Sequence, residues 1–129
     1  MAYDLAALAP EAATFLAERH LATLTTLRAD GSPHVVAVGF SYDAPACLVR
    51  VITFAGSVKA GNARRGGRAA VCQVDGRRWL TLEGVASVTD EHDRVAAAVA
   101  GYTARYRQPG ERADRVAIEI AVDKIIGNA

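Results

Sequence analysis

Between Arg19 and Val88 the apolar positions fall in short runs, most alternating with polar ones, and turn residues separate them at intervals that suit strands rather than helices. Arg19–Arg28, rich in Thr and Leu, predicts a first strand, Asp30-Gly31 a hairpin turn, and Ser32–Tyr42 the returning second strand. Within that strand Val35-Val36-Ala37-Val38-Gly39-Phe40 is apolar at nearly every position. Both of its faces should therefore be covered, one by the core and the other by a partner or ligand. Asp43-Ala44-Pro45-Ala46 turns the chain into a β-branched third strand over Cys47–Thr53. Ala69–Val74 and Arg78–Val88 follow as strands four and five, joined at Asp75-Gly76. Glu83-Gly84 interrupts the alternation of strand five, as a bulge does where a sheet bends. In a sixth strand, Arg115–Val122, Val116, Ile118 and Ile120 alternate with Ala117, Glu119 and Ala121.

Three stretches carry a helical pattern instead. Pro10–Glu18 has Pro in the first turn and Ala13, Leu16 and Ala17 on one side, and predicts a short lid or plug. Val58–Arg65 follows Ser57, a good N-cap, and stops at Gly66-Gly67, where a left-handed C-cap is expected. Thr89-Asp90-Glu91 caps a helix through about Tyr106, with Val95, Ala98, Val99, Tyr102 and Tyr106 on one face, and Gln108-Pro109-Gly110 ends it. Six mainly antiparallel strands with about three short helices exclude a doubly wound sheet. They predict a mainly β (α+β) fold, a six-stranded antiparallel barrel in a single domain over residues 1–129.

Composition narrows the function. With 51% hydrophobic and 22% charged residues the chain is globular, and no apolar run approaches the ~20 residues of a membrane span. No secretory leader is evident, so the cytoplasm is the expected location. Cys47 and Cys72 fall in strand patterns and are too few for a zinc site, so buried free thiols are expected. No His, Cys and carboxylate spacing supports a metal, and no Ser-His-Asp or Cys-His arrangement is present. His34, after Pro33 at a strand start, lacks a carboxylate motif and reads as a structural or surface residue, and His20 and His92 are weaker catalytic candidates still. Glu83 reads as the partner of an arginine. No side chain is singled out as a catalytic acid or base.

The formal charge is +1, but it is unevenly spread: Ala44–Arg78 holds seven cations against one acid. Such a field favours a multiply anionic small molecule. Nucleic acid is disfavoured, because the basic window has no recognition-helix or zinc-finger spacing and few aromatics to stack on bases. Its centre, Arg50-Val51-Ile52-Thr53-Phe54-Ala55-Gly56-Ser57-Val58-Lys59, joins a strand directly to the cationic helix. The free amides at the helix start, the hydroxyls of Thr53 and Ser57 and the ammonium of Lys59 suit a phosphate, with Asn62 three residues on. A solvated basic helix after an ordinary strand accounts for the same pattern.

The chain resembles the pyridoxamine 5′-phosphate oxidase-like split β-barrel flavin/deazaflavin oxidoreductases, and within them the F420-dependent biliverdin reductase group. The resemblance rests on Leu21–Val36 with its Asp30-Gly31-Ser32-Pro33 turn, on Gly56-Ser57-Val58-Lys59-Ala60-Gly61-Asn62, on Gln73–Gly84 with Trp79-Leu80-Thr81-Leu82-Glu83-Gly84, and on Tyr106-Arg107-Gln108-Pro109. It implies a homodimer with cofactor sites at the interface and no nucleic-acid or membrane partner. The cofactor would be coenzyme F420, or alternatively FMN, and the acceptor a conjugated molecule such as biliverdin. A flavin- or haem-related binding protein without turnover is the non-enzymatic alternative. By the same resemblance Arg50, Ile52, Thr53, Ser57, Lys59 and Asn62 would take the cofactor phosphate and tail. The backbone of Val36, Ala37 and Val38 would lie beside the ring, and Gln73, Arg77, Arg78 and Trp79 would come from the other subunit. The arginines beyond those one phosphate needs, Arg64, Arg65, Arg68, Arg77 and Arg78, favour F420 with its poly-glutamate tail, and Arg77, Arg78 and Arg107 stand near the expected acceptor.

Overall fold

The computed structural model describes residues 2–129. The elements run α1 (Pro10–Ala17), β1 (Ala22–Leu27), β2 (Pro33–Val38), β3 (Ser41–Asp43), β4 (Leu48–Phe54), α2 (Val58–Arg64), β5 (Arg68–Asp75), β6 (Arg78–Thr89), α3 (His92–Arg105) and β7 (Arg115–Asn128). All strands pair antiparallel in one sheet of order β2-β1-β5-β6-β7-β4-β3. The mainly β split barrel with three helices is as expected, but it has seven strands where six were predicted. The expected second strand ends at Val38, and Ser41–Asp43 pairs separately with β4. The intervening Gly39-Phe40 step is bonded to α3 instead of to a strand: the Phe40 amide donates to the Tyr106 hydroxyl and its carbonyl accepts from Arg105.

That step also shapes the barrel. Consecutive strands β2 and β3 sit on opposite edges of the sheet, yet only Gly39 and Phe40 lie between them. Three Cα–Cα steps reach at most about 11 Å, so the sheet must curl until its edges nearly meet. The enclosed core contains Leu24, Phe40, Val49, Val71, Leu80, Leu82, Ile118 and Ile120, each fully buried. Every such side chain contributes roughly 1.5–3 kcal/mol of transfer free energy. α1 plugs one end with Ala12, Phe15 and Leu16; of the expected apolar side only Leu16 turns inward, Ala13 and Ala17 being exposed.

The bulge expected at Glu83-Gly84 is present: Glu83 pairs with Lys124 and Gly84 with Val122, leaving Asp123 as the extra residue. Arg68, the arginine nearest Glu83 in the sheet, donates to Asp123 through both terminal nitrogens. Beyond the bulge β7 runs on to Asn128, past its expected end at Val122, because Asp123 and Lys124 break the alternation that Ile125 resumes. Gly66 has φ +73° at the end of α2, the expected left-handed cap. Both cysteines are free thiols but only half-buried, and Cys47 lies in the turn before β4, with φ +51°, rather than in a strand. Among the described residues no helix is long and apolar enough to cross a membrane.

Candidate functional site

The strand-to-helix junction that the sequence singles out borders a cavity of about 240 Å³. Ala37, Val38 and Gly39 at the end of β2 form one wall, Val51 and Ile52 of β4 another, and Lys59, Tyr102 and Pro109 close it. Four expected residues, Ala37, Val38, Ile52 and Lys59, therefore meet at one place, while Val36 packs against the core beside them. Among the described residues the ion pairs involve Arg50, Arg68, Arg78, Arg94, Arg112 and His side chains, and the Lys59 ammonium has no acidic partner. The two hydroxyls of the junction are used locally. Thr53 donates to Ser57 Oγ at 3.0 Å, and that oxygen caps α2 by accepting from the Ala60 amide at 3.2 Å. The first amides of the helix have no intrahelical acceptor.

Other expected residues are engaged elsewhere. Arg50 donates to Asp43 at 3.0 Å and lies opposite Glu119 in the sheet, on the side that α3 covers; its Nε is buried without a partner. Asn62 belongs with Ala60 and Ala63 to the buried side of α2. It donates to Thr26 Oγ1 at 3.1 Å and accepts from Arg65, so it fixes the helix to β1 rather than facing the cavity. Gln73 is fully buried in its own subunit, donating to the Phe15 carbonyl at 2.8 Å and accepting from Arg105. Arg78 clasps Glu18 through two bonds of 2.9 Å and also reaches Asp75. This clasp, with His20 assisting, holds the Glu18 carboxyl well below its ordinary range, at about 2. Arg77 is exposed, and Trp79 stands at the surface opposite Val74.

A family model described as pyridoxamine 5'-phosphate oxidase matches residues 8–128. The chain is 53% identical over 122 residues to an F420-dependent biliverdin reductase of Mycobacterium tuberculosis (strain CDC 1551 / Oshkosh), covering 95% of this chain and 89% of that protein. The chain belongs to the pyridoxamine 5'-phosphate oxidase family. Its fold superposes on a conserved hypothetical protein from Mycobacterium tuberculosis with a TM-score of 0.78 at 25% identity, over 94% of this chain and 84% of that one. An F420 reductase superposes with a TM-score of 0.71 at 24% identity, over 88% of this chain and 94% of that one.

In this family member four cavity residues escaped the sequence reading of the site: Gly39, Val51, Tyr102 and Pro109. Tyr102 has the spacing of an apolar helix face and Pro109 that of a helix stop, so neither signals a ligand. The outward face of β2-β1-β5-β6 is the second feature beside the cavity. Val35, Ala37, Thr23, Thr25, Ala70, Cys72, Val74, Trp79 and Thr81 fall on it, with Glu83 as its only charge among these rows. Val35 and Val74 are more than half exposed there, and Trp79 is 36% exposed.

Proposed function

We propose that the protein is an F420-dependent reductase that passes a hydride to a conjugated acceptor, biliverdin, and that it works as a homodimer. The observation that carries this is the 53% identity, over nearly the whole chain, to an F420-dependent biliverdin reductase. The cavity residues fit a flat ring joined to a phosphate. Ala37 and Gly39 carry almost no side chain, so the end of β2 presents a flat main-chain wall, and the unpaired Lys59 ammonium stands beside it. When bound and reduced, the deazaflavin supplies the hydride, and the acceptor takes up one proton to balance it. Lys59 anchors the phosphate, the Ala37–Gly39 backbone orients the ring, and Tyr102 and Pro109 exclude water. No carboxylic acid or histidine lines this cavity, so an arginine or a bound water near the acceptor would supply the proton.

At about 240 Å³ the cavity is smaller than the roughly 300–1,000 Å³ typical of small-molecule sites, so one subunit does not enclose a cofactor of this size. The outward sheet face, exposing Val35, Val74 and Trp79 with Glu83 and Arg68 toward one end, supports a two-fold pairing that completes the site. Light scattering at micromolar concentration is expected to give a dimer mass; a monomer would count against the pairing. The deciding assay mixes protein with reduced F420 and follows its reoxidation by biliverdin, menadione and an unsaturated lactone in parallel. Turnover with biliverdin is expected. Tight cofactor binding without reoxidation by any acceptor would make the protein a binding module, and purified yellow protein releasing FMN would replace F420 by FMN.

A further inference from the structure

A second cavity, of about 420 Å³, lies beyond Tyr102 and is lined by Arg19, Leu21, Tyr102, Tyr106 and Arg107. Tyr102 lines both cavities, so the two adjoin at this residue. We infer that this second cavity is the acceptor subsite, where Arg19 and Arg107 take the carboxylates of a conjugated substrate whose rings lie against Tyr102 and Tyr106. The inference rests on the reductase reading given above.

The aromatic surface is built rather than incidental. The two tyrosine rings lie 5.0 Å apart at 36°. Tyr106 is fixed at its far end: its hydroxyl donates to the His20 carbonyl at 2.5 Å and accepts from the Phe40 amide at 3.3 Å. Both rings press on Gly39, where an added Cβ would stand 2.9 Å from Tyr102 and 3.0 Å from Tyr106. Because Gly39 also lines the first cavity, the wall that would orient the ring and the aromatic surface beyond it are one continuous surface.

The charges are available as well. Neither Arg19 nor Arg107 pairs with a described carboxylate, whereas the neighbouring Arg78 is held by Glu18 and Asp75, and Arg105 by Glu18, Phe40 and Gln73. Glu18, the acid closest in sequence, is already engaged by Arg78 and His20, so the cavity keeps both positive charges. Leu21, 65% exposed, adds an apolar rim. Two guanidinium groups above an aromatic surface select a flat molecule bearing carboxylates over a neutral quinone.

The test compares wild type with Arg19→Gln, Arg107→Gln and the double variant; both side chains are exposed, so folding is unaffected. Biliverdin is titrated by its visible absorbance into protein holding oxidised F420, and KM is measured with biliverdin and with menadione. Each substitution is expected to weaken biliverdin about 5- to 10-fold, a partly screened charge-assisted contact. F420 affinity and the menadione KM should stay unchanged, and biliverdin dimethyl ester should bind wild type and double variant alike. Unchanged biliverdin affinity and KM in the double variant would overturn the subsite. Failure of wild type to reoxidise reduced F420 with biliverdin would instead overturn the reductase reading, and the titration would still decide whether Arg19 and Arg107 hold the bilin.

Discussion

Arg105 joins three separate parts of this molecule, and replacing it with Met measures that role. Its Nε donates to the Glu18 carbonyl at 2.8 Å, one terminal nitrogen donates to the Phe40 carbonyl at 2.8 Å, and the other donates to Gln73 Oε1. The guanidinium also lies over the rings of Phe40 at 4.6 Å and Tyr106 at 5.3 Å. It thereby ties the end of α1, the Gly39-Phe40 step and β5 to the last turn of α3. Burial pushes its pKa down from the ordinary guanidinium value, so the three acceptors are what make the position tolerable for a cation. Arg105→Met keeps most of the apolar stem but strands two acceptors on fully buried residues, Phe40 and Gln73. At about 1–3 kcal/mol for each stranded group, plus the lost ring contacts, the expected loss is about 3–5 kcal/mol. For a chain of this length that corresponds to roughly 10–20 °C in Tm. Urea denaturation of Arg105→Met, Gln73→Met and the double variant closes a thermodynamic cycle. A coupling of about 0.5–3 kcal/mol is expected, because once Arg105 is gone the Gln73 oxygen has nothing left to lose. A loss below about 1 kcal/mol for Arg105→Met, or strict additivity, would refute the reasoning.

Lys59→Ala should weaken F420 binding about 10- to 100-fold in a fluorescence titration, with a smaller loss at high salt, since a charge-assisted contact is worth about 1.5–3 kcal/mol. Gly84→Ala should prevent stable folding, measured as loss of the cooperative urea transition, because the new Cβ would stand 1.9 Å from the backbone oxygen of Ala121. Glu18→Gln should lower Tm near neutral pH, and the difference from wild type should shrink with acid. The folded Glu18 carboxyl sits at about 2 against an ordinary 4.5, so its contribution is complete above about 4.5 and disappears as pH falls toward 2. A wild-type advantage that persisted unchanged at pH 2 would contradict the Arg78 clasp.

What was legible in the sequence is what local patterns encode. Alternation located the long strands, Asp-Gly pairs located two hairpins, and the broken alternation at Glu83-Gly84 located the bulge. β3 escaped because three residues carry no period, and because the step before it is set by α3 rather than by neighbouring residues. The site divided along the same line. Lys59 was singled out by a strand-to-helix junction, which is local, whereas the end of β2 was named only through the family resemblance. Asn62 and Gln73 resemble ligand-facing polar residues when read in sequence, but their partners Thr26 and Arg105 lie 36 and 32 residues away. Spacing assigns a residue to an element and a face; it does not say which distant donor has already claimed its oxygen.

The two-residue link between opposite edges of the sheet bears on how this chain tolerates changes in length. A turn such as Asp30-Gly31 joins neighbouring strands, so added residues there loop into solvent at a closure cost of about 0.6 kcal/mol per doubling. Gly39-Phe40 is different, because it spans the open seam between β2 and β3 and sets the girth of the barrel by covalent reach. One inserted residue would loosen that girth. It would also have to move β3 by one position, turning Ser41 and Asp43 toward the face now occupied by Tyr42. The circumference at the Ala37–Gly39 cavity wall is thus held by chain length as much as by hydrogen bonding, and length variation belongs in the outer turns and not at this seam.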